Sequence, residues 1–397
     1  MLNSAKSALV NYYYLITIIV YFSAIYFPFI RVGLFMSLLM GIGIFILYKN
    51  KDITLRNRLD ILVLAYIGYN IFSFFVFIIS GLPLSVYFME FSNSILPIIL
   101  FYFFGRLNEH NSFYNITLYS LVTCFIIGFY FQLTVPENYA VFMSNIDGVG
   151  TNPANFILNY RSYLGLTATG SLSAIGVLLS FSILHKSNFK AGKIALVICF
   201  IALILTFRRA ALYTGLFAIL WMNFLVLFKF KGSKLKLLIF ELLIVFVFLY
   251  WFGSSDAEFF EGLSQRFFSL SDAIDGRSSS WLSGLSNTQN ILLGDGLGRY
   301  GHKAVEYSDI YIPDGNYFRM IAELGIIGFL LFILIIFTSL YNGVSKFENN
   351  YIGLCIIIMI CMQAVGSDVF SFQLVAPLFW YSIGRCSRFN YLKKVKN

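Results

Sequence analysis

Long apolar runs set the rhythm of this chain. They fall near 12–30, 32–48, 60–80, 91–105, 113–134, 163–184, 193–207, 210–228, 236–253, 317–341, 351–366 and 370–384, separated mostly by short polar connections. A helix needs roughly 20 mainly apolar residues to cross a bilayer, so the pattern predicts an all-α polytopic membrane protein. The reading gives about twelve transmembrane helices in a single transmembrane domain over 1–397. The first run lacks a small-residue cleavage site and is followed at once by another, which predicts a retained helix rather than a signal peptide.

Two polar segments are longer than hairpins, at 135–162 and 254–316. A structureless loop as long as the second is uncommon in a compact protein, so helices are expected inside it. "DAEFFEGLSQRFFSLSDAI" has apolar residues at mostly helical spacing and predicts an amphipathic helix on the membrane surface. "GRSSSWLSGLSNTQNI" predicts a second short helix capped by one of Ser278 to Ser280. Arg277 would then stand just before a helix N-terminus, a place that favours anions.

Composition agrees with the pattern: 59% of the residues are hydrophobic and only 12% charged, against about 25% charged in soluble domains. The net charge of +9 does not point to nucleic acid, because its distribution follows the membrane. Of 15 lysines, 14 lie in the termini or in connections such as "KNKDITLRNR", "HKSNFKAGK" and "KFKGSKLK", and only Lys303 lies on the other side. The positive-inside rule makes the lysine side cytoplasmic, with both termini inside, and the two long loops periplasmic or extracellular. The five cysteines form no disulfide framework. No Cys, His and carboxylate set has metal-ligand spacing, so neither metal nor cofactor is expected.

Arginine behaves differently from lysine. Eight of 13 arginines fall on the outer side or at its membrane edge: Arg31, Arg161, Arg208, Arg209, Arg266, Arg277, Arg299 and Arg319. Topology needs only positive charge, whereas guanidinium adds a fork that grips phosphate or carboxylate with two hydrogen bonds. The pair Arg208 and Arg209 occupies a tight outer turn in "ILTFRRAALYTG". Such arginines either snorkel to lipid headgroups or bind an anionic substrate at the membrane edge. A polyprenyl-diphosphate-linked oligosaccharide suits the second reading, with Arg161, Arg208, Arg209 and Arg277 converging on the diphosphate. Donors fixed at the leaving oxygen would stabilise the transition state, and the remaining need is a base for the attacking sugar hydroxyl. Asp314 is the leading candidate, with Asp295, His302, Glu323 and Asp368 behind it. Asp314 before Gly315 also suits a plain helix N-cap. Trp281, Arg299, Tyr300, Tyr317 and Asp295 are candidates for holding sugar, although interfacial Tyr and Trp also form the ordinary aromatic belt. The glycines of "GDGLGRYG" predict a tight turn near the site, not a dinucleotide loop.

Four stretches, in order, resemble the O-antigen polymerase and O-antigen ligase family, which shares a C-type glycosyltransferase membrane fold. They are "RSYLGL" with Arg161, "LTFRRAAL" with Arg209 on the family's arginine, "GRSSSW" with Arg277, and "DGNYFRMIAELGIIG" with Asp314 on the base position. The resemblance covers roughly 145–335 and has departures. Gly315 replaces the usual Asn, Phe207-Arg208 replaces a small-Ser pair, and Thr167-Ala168-Thr169 stands where the family has Pro-Asn. It implies a glycosyltransferase in a bacterial inner membrane that works without a metal. Its substrate would be a polyprenyl-diphosphate-linked oligosaccharide, with a chain-length regulator as a further partner. Asp rather than His at 314 leans toward the polymerase over the ligase, which transfers polymer to lipid A-core. A flippase for lipid-linked oligosaccharides is the rival of another class, but internal repeats and charges within the spans are not apparent.

Overall fold

The computed structural model describes residues 8–27, 31–108, 112–134, 166–184, 189–206, 208–229, 270–308, 310–312, 314–345 and 347–395. Among these residues there is helix and turn but no strand. In chain order the helices are α1 (Tyr13–Tyr26), α2 (Val32–Lys49) and α3 (Arg58–Ile79), then α4 (Leu84–Leu107), broken by a π turn at Ile98–Tyr102 just after Pro97. They continue as α5 (Ser112–Thr134), α6 (Leu166–Leu184), α7 (Phe189–Leu205), α8 (Arg209–Lys229) and α9 (Leu270–Ser286). The last are α10 (Asn316–Ser345), α11 (Phe347–Gln363) and α12 (Ala376–Val395).

Eleven of the twelve apolar runs coincide with a described helix, and the twelfth, 236–253, lies outside the described residues. Five of these helices are long and apolar enough to cross a membrane: α2, α3, α4, α5 and α10. The chain is thus a multi-pass membrane protein. Many large apolar side chains on these helices face outward, among them Leu34, Phe45, Phe75, Tyr130 and Phe337, as lipid contact requires. Helix α10 packs on α3, α11 and α12, and α11 packs along α8.

Polar knots mark the two ends of α3. At its start Asn57 and Asp60 form a reciprocal capping box. Asp60 also takes Arg106 Nη1 at 2.7 Å and the Tyr102 hydroxyl at 2.6 Å, while the same guanidinium donates to the carbonyls of Asp52 and Thr54. At its other end Phe77 meets the turn at Gly296. Asp60 and Phe77 stand 17 helical positions apart, roughly 26 Å at 1.5 Å per residue, close to the hydrocarbon thickness of a bilayer.

Helix α10 is interrupted. Gly325 adopts φ 66° and ψ −178°, a region essentially confined to glycine, so the ladder of i to i−4 bonds stops there. The chain 291–296 fills the gap. Asp295 and Gly296 N–H donate to the carbonyls of Ala322 and Glu323 at 3.0 and 2.9 Å, and Ile326 and Ile327 N–H donate to Ile291 and Leu292 at 2.9 and 3.3 Å. Backbone groups freed at membrane depth are thereby satisfied, which apolar surroundings demand. A β-carbon on Gly325 would lie 2.2 Å from the Leu292 carbonyl oxygen, and one on Gly294 2.3 Å from that of Glu323. The glycines of "GDGLGRYG" make the expected tight turn, with Arg299 and Gly301 N–H bonded to the Gly296 and Gly298 carbonyls, and Gly294 and Gly296 also serve the splice into the helix.

Candidate functional site

The arginine pair sits where the sequence placed it, in the turn between α7 and α8. The Leu212 N–H donates to the Arg208 carbonyl at 3.1 Å, so Arg208 is the N-cap of α8 and Arg209 its first residue. One turn further, Thr214 receives the Gln363 side-chain amide at 3.0 Å, tying this end of α8 to the end of α11. The loop after α11 continues the same surface, because Arg277 Nη1 donates to the Gly366 carbonyl at 3.2 Å. Arg209, Arg277 and the loop 364–375 thus share one end of the helix bundle. Arg161 and Arg266 lie outside the described residues, as do 135–162 and residues 256–269 of the surface helix expected over 256–274, whose last residues 270–274 form the start of α9.

Arg277 departs from the expectation in one respect. Helix α9 runs unbroken over Leu270–Ser286, so Arg277 is a mid-helix residue and Ser278 to Ser280 are not caps. It offers an anion its guanidinium and not the helix N-terminus, since backbone N–H groups in mid-helix are already bonded. Arg277 Nε lies 3.2 Å from Asp314 Oδ2, and the two side chains are 36% and 28% exposed. They are a cation and a carboxylate that solvent and substrate can reach.

Asp314 is held by its backbone. The indole N–H of Trp281 donates to the Asp314 carbonyl, and the Trp281 ring stacks on Phe318 with centroids 4.6 Å apart and planes 13° apart. Gly315, between them, has φ 92°, and a β-carbon there would come within 2.7 Å of the indole nitrogen. The Gly315 carbonyl accepts from Arg319 N–H at 3.1 Å, which makes Gly315 the N-cap of α10. Asp314 stands one residue outside the helix, and its carboxylate turns to Arg277.

The other candidate bases separate by burial. Asp295, Glu323 and Asp368 are 3%, 2% and 5% exposed, whereas His302 is exposed. Asp295 closes a loop, accepting from the Gln289 and Asn290 N–H groups and, at 2.7 Å, from the Tyr300 hydroxyl. Burial and that bond to Asp295 push the Tyr300 phenol up to about 12. Asp295 and Tyr300 are therefore committed to the fold, which leaves them no face for a sugar. Tyr317 is likewise engaged, its hydroxyl on the Cys361 carbonyl at 2.7 Å and its ring against Phe329 and Phe370. Arg299 lies 3.9 Å from Asp295 and over the Tyr300 ring. Of the residues expected at sugar, Trp281 alone touches the Arg277–Asp314 pair.

Arg319, grouped from sequence with the outer arginines, is buried and grips carboxylates. It donates through Nη2 to Glu90 at 2.9 Å and through Nη1 to Asp368, with Glu323 3.8 Å from Nε. The Asn316 amide donates to Asp368 and its carbonyl oxygen accepts from Val369 and Phe370 N–H. Burial opposes ionisation of Asp368, but the Arg319 guanidinium, the field of His302 and the Ser371 and Asn316 bonds hold it below the usual carboxylate range. This cluster fixes the first turn of α10, and with it Asp314, against α4 and the loop 364–375. An arginine lodged in a membrane-edge segment rich in aromatics was the available signal, since such a cation must find buried anions.

Residues 194–333 match the family model described as O-antigen ligase. That segment contains Arg208, Arg209, Arg277, Asp314 and the splice at Gly325, and over about a third of its length the chain is similar to the O-antigen ligase family. No curated protein matches the chain.

Proposed function

We propose that this protein joins polyprenyl-diphosphate-linked oligosaccharide units into a surface polysaccharide at the outer face of a bacterial cytoplasmic membrane. The observation that carries the reading is the accessible Arg277–Asp314 contact, on the same end of the bundle as Arg208 and Arg209. In this reading Arg209 and Arg277, with Arg161 and Arg208, grip the diphosphate of the donor. An acceptor hydroxyl attacks the anomeric carbon and passes its proton to Asp314, while the bond from that carbon to the diphosphate oxygen breaks. The charge left on the diphosphate is met by guanidinium groups already in place, where fixed donors contribute most. A donor diphosphate that draws Arg277 away from Asp314 also frees the carboxylate to meet the acceptor hydroxyl. Direct displacement of this kind inverts the anomeric centre.

A ligase that moves polymer from the carrier to lipid A-core is favoured by one observation, the description of the matching family model. The aspartate at 314 supports the polymerase instead, because family ligases usually place histidine there. Deleting the gene and separating the surface glycans on a gel discriminates the two. Lipid carrying a single repeat unit supports the polymerase. Free polymer with none on lipid A-core supports the ligase. Loss of every surface product would sink both and point to a flippase.

A further inference from the structure

Beneath the Arg277–Asp314 pair, the first half of α10 borders a cavity of about 40 Å³. Its walls include Tyr66 and Asn70 of α3, Ser94 of α4, and Arg319 and Glu323 of α10, closed by Phe332 and Trp380. That volume admits a water or an ion of similar size, and no sugar.

The charges around it do not balance. Arg319 is the cation of the cluster, and it faces three carboxylates: Glu90 from α4, Glu323 from its own helix and Asp368 from the loop 364–375. His302 is exposed and adds its field to Asp368. Asp368 is fully served by Arg319, Asn316 and Ser371. Glu90 has Arg319 Nη2 and the Ser94 hydroxyl at 2.8 Å. Glu323 accepts the Tyr300 N–H at 3.1 Å and a second backbone N–H from Gly298, and it reaches the guanidinium only at 3.8 Å. Glu323 and Glu90 approach each other around Gly301, where a β-carbon would stand 3.6 Å from an oxygen of each. Buried charge without a counter-charge is strongly disfavoured, so one guanidinium is too little for this cluster.

A second, independent observation points into the same cavity. Asn70 is fully buried and lines it, with its amide N–H given to the Tyr66 carbonyl at 2.8 Å. Its side-chain oxygen has no hydrogen-bond partner. A buried acceptor of this kind calls for a donor or a cation, and it lines the same cavity as Glu323.

We infer that this cavity is a binding site for one small monovalent cation, a proton or a sodium ion, held between Glu323 and the Asn70 side-chain oxygen on its wall, with the Glu90 carboxylate adjoining Glu323 beside Gly301. As a proton it resides on the carboxylate pair and is donated to Asn70, directly or through one water. As sodium it takes the same oxygens as ligands. In either form it relieves the excess negative charge that surrounds Arg319. No set of three His, Cys or carboxylate side chains among the described residues converges on a metal, which fits a singly charged occupant rather than a divalent ion.

The test uses the full chain in lipid nanodiscs. In sodium-free choline chloride at neutral pH, the infrared C=O band of a protonated carboxylic acid should be present, shift in D₂O and disappear in Glu323→Gln or Glu90→Gln. Alternatively, the apparent melting temperature should rise with sodium chloride but not with choline chloride at equal ionic strength, and Asn70→Leu should abolish the rise. The first result supports the site with a proton and the second supports it with sodium. If wild-type protein shows neither the band nor a sodium-specific shift, the inference is overturned, whether or not any variant folds. None of these readouts depends on glycan synthesis, so the inference stands or falls apart from the proposed function.

Discussion

Replacing Asp314 by asparagine separates chemistry from folding at this site. The contact with Arg277 is made by side chains 36% and 28% exposed, so losing it should cost no more than about 1 kcal/mol of stability. The capping of α10 is unaffected because its N-cap is Gly315, and Trp281 binds the carbonyl of residue 314 rather than its carboxylate. Asparagine cannot accept the acceptor's proton. Losing a general base lowers rate about 100- to 10,000-fold, which adds roughly 3 to 5 kcal/mol to the barrier. We predict normal membrane abundance by immunoblot, with surface lipid carrying a single repeat unit on a glycan gel. Asp314→Ala should behave the same way, which a capping side chain would not allow. Long chains made by Asp314→Asn would remove this residue from the mechanism. Abundance that collapsed in Asp314→Ala alone would show that the side chain is structural.

Four further outcomes follow from the same geometry. Arg277→Lys and Arg209→Lys keep the charge but lose the bidentate fork, so each should shorten or abolish polymer at normal protein level; unchanged chain lengths would argue that these arginines meet only lipid. Trp281→Phe keeps a ring for Phe318 but removes the N–H held by the Asp314 carbonyl. The melting temperature should change little while polymer yield falls up to about 100-fold through misplacement of the base; an undiminished yield would refute the positioning. Asp368 is held below the usual carboxylate range, so its contribution is complete above about pH 4 and is lost as pH falls through its folded value. A thermal-stability profile in nanodiscs should show that acid loss, and Asp368→Asn should flatten it. Gly325→Ala forces a β-carbon into the Leu292 carbonyl and disrupts four backbone bonds worth together about 2–6 kcal/mol. Little folded protein should accumulate, and a normal level would disprove the tightness of the splice.

Much of this architecture is legible in the chain because lipid imposes a simple code. Most apolar runs gave helices within a few residues of their observed ends, and two adjacent arginines between two such runs gave the turn before α8. The run 370–384 missed both ends of α12, and the run from 91 missed the first turns of α4. Local signals also misled. Three serines after Arg277 read as caps, yet α9 continues through them because helix interiors tolerate Ser when the neighbouring turns pack, as Trp281 does against Phe318. The Arg319 cluster was hidden for another reason, since Glu90 and Asp368 stand 229 and 49 residues away from it in sequence. Tyr300 and Asp295 looked like sugar contacts because burial is not written in residue type. The break at Gly325 is invisible in "ELGIIGFLL", where nothing local separates a continuous helix from one opened by a distant strand of loop.

That break changes how the protein should breathe. The amides of Asp295, Gly296, Ile326 and Ile327 are bonded across the junction, so none can open unless the loop and the helix part together. Hydrogen exchange at these four positions should therefore be slow and correlated, rising as one unit, whereas the neighbouring helical turns fray independently. The covalent path from Leu292 to Ile327 is 35 residues long, but the cooperative path is a single hydrogen bond. A disturbance felt at the polar loop thus reaches the body of α10 without travelling along the chain.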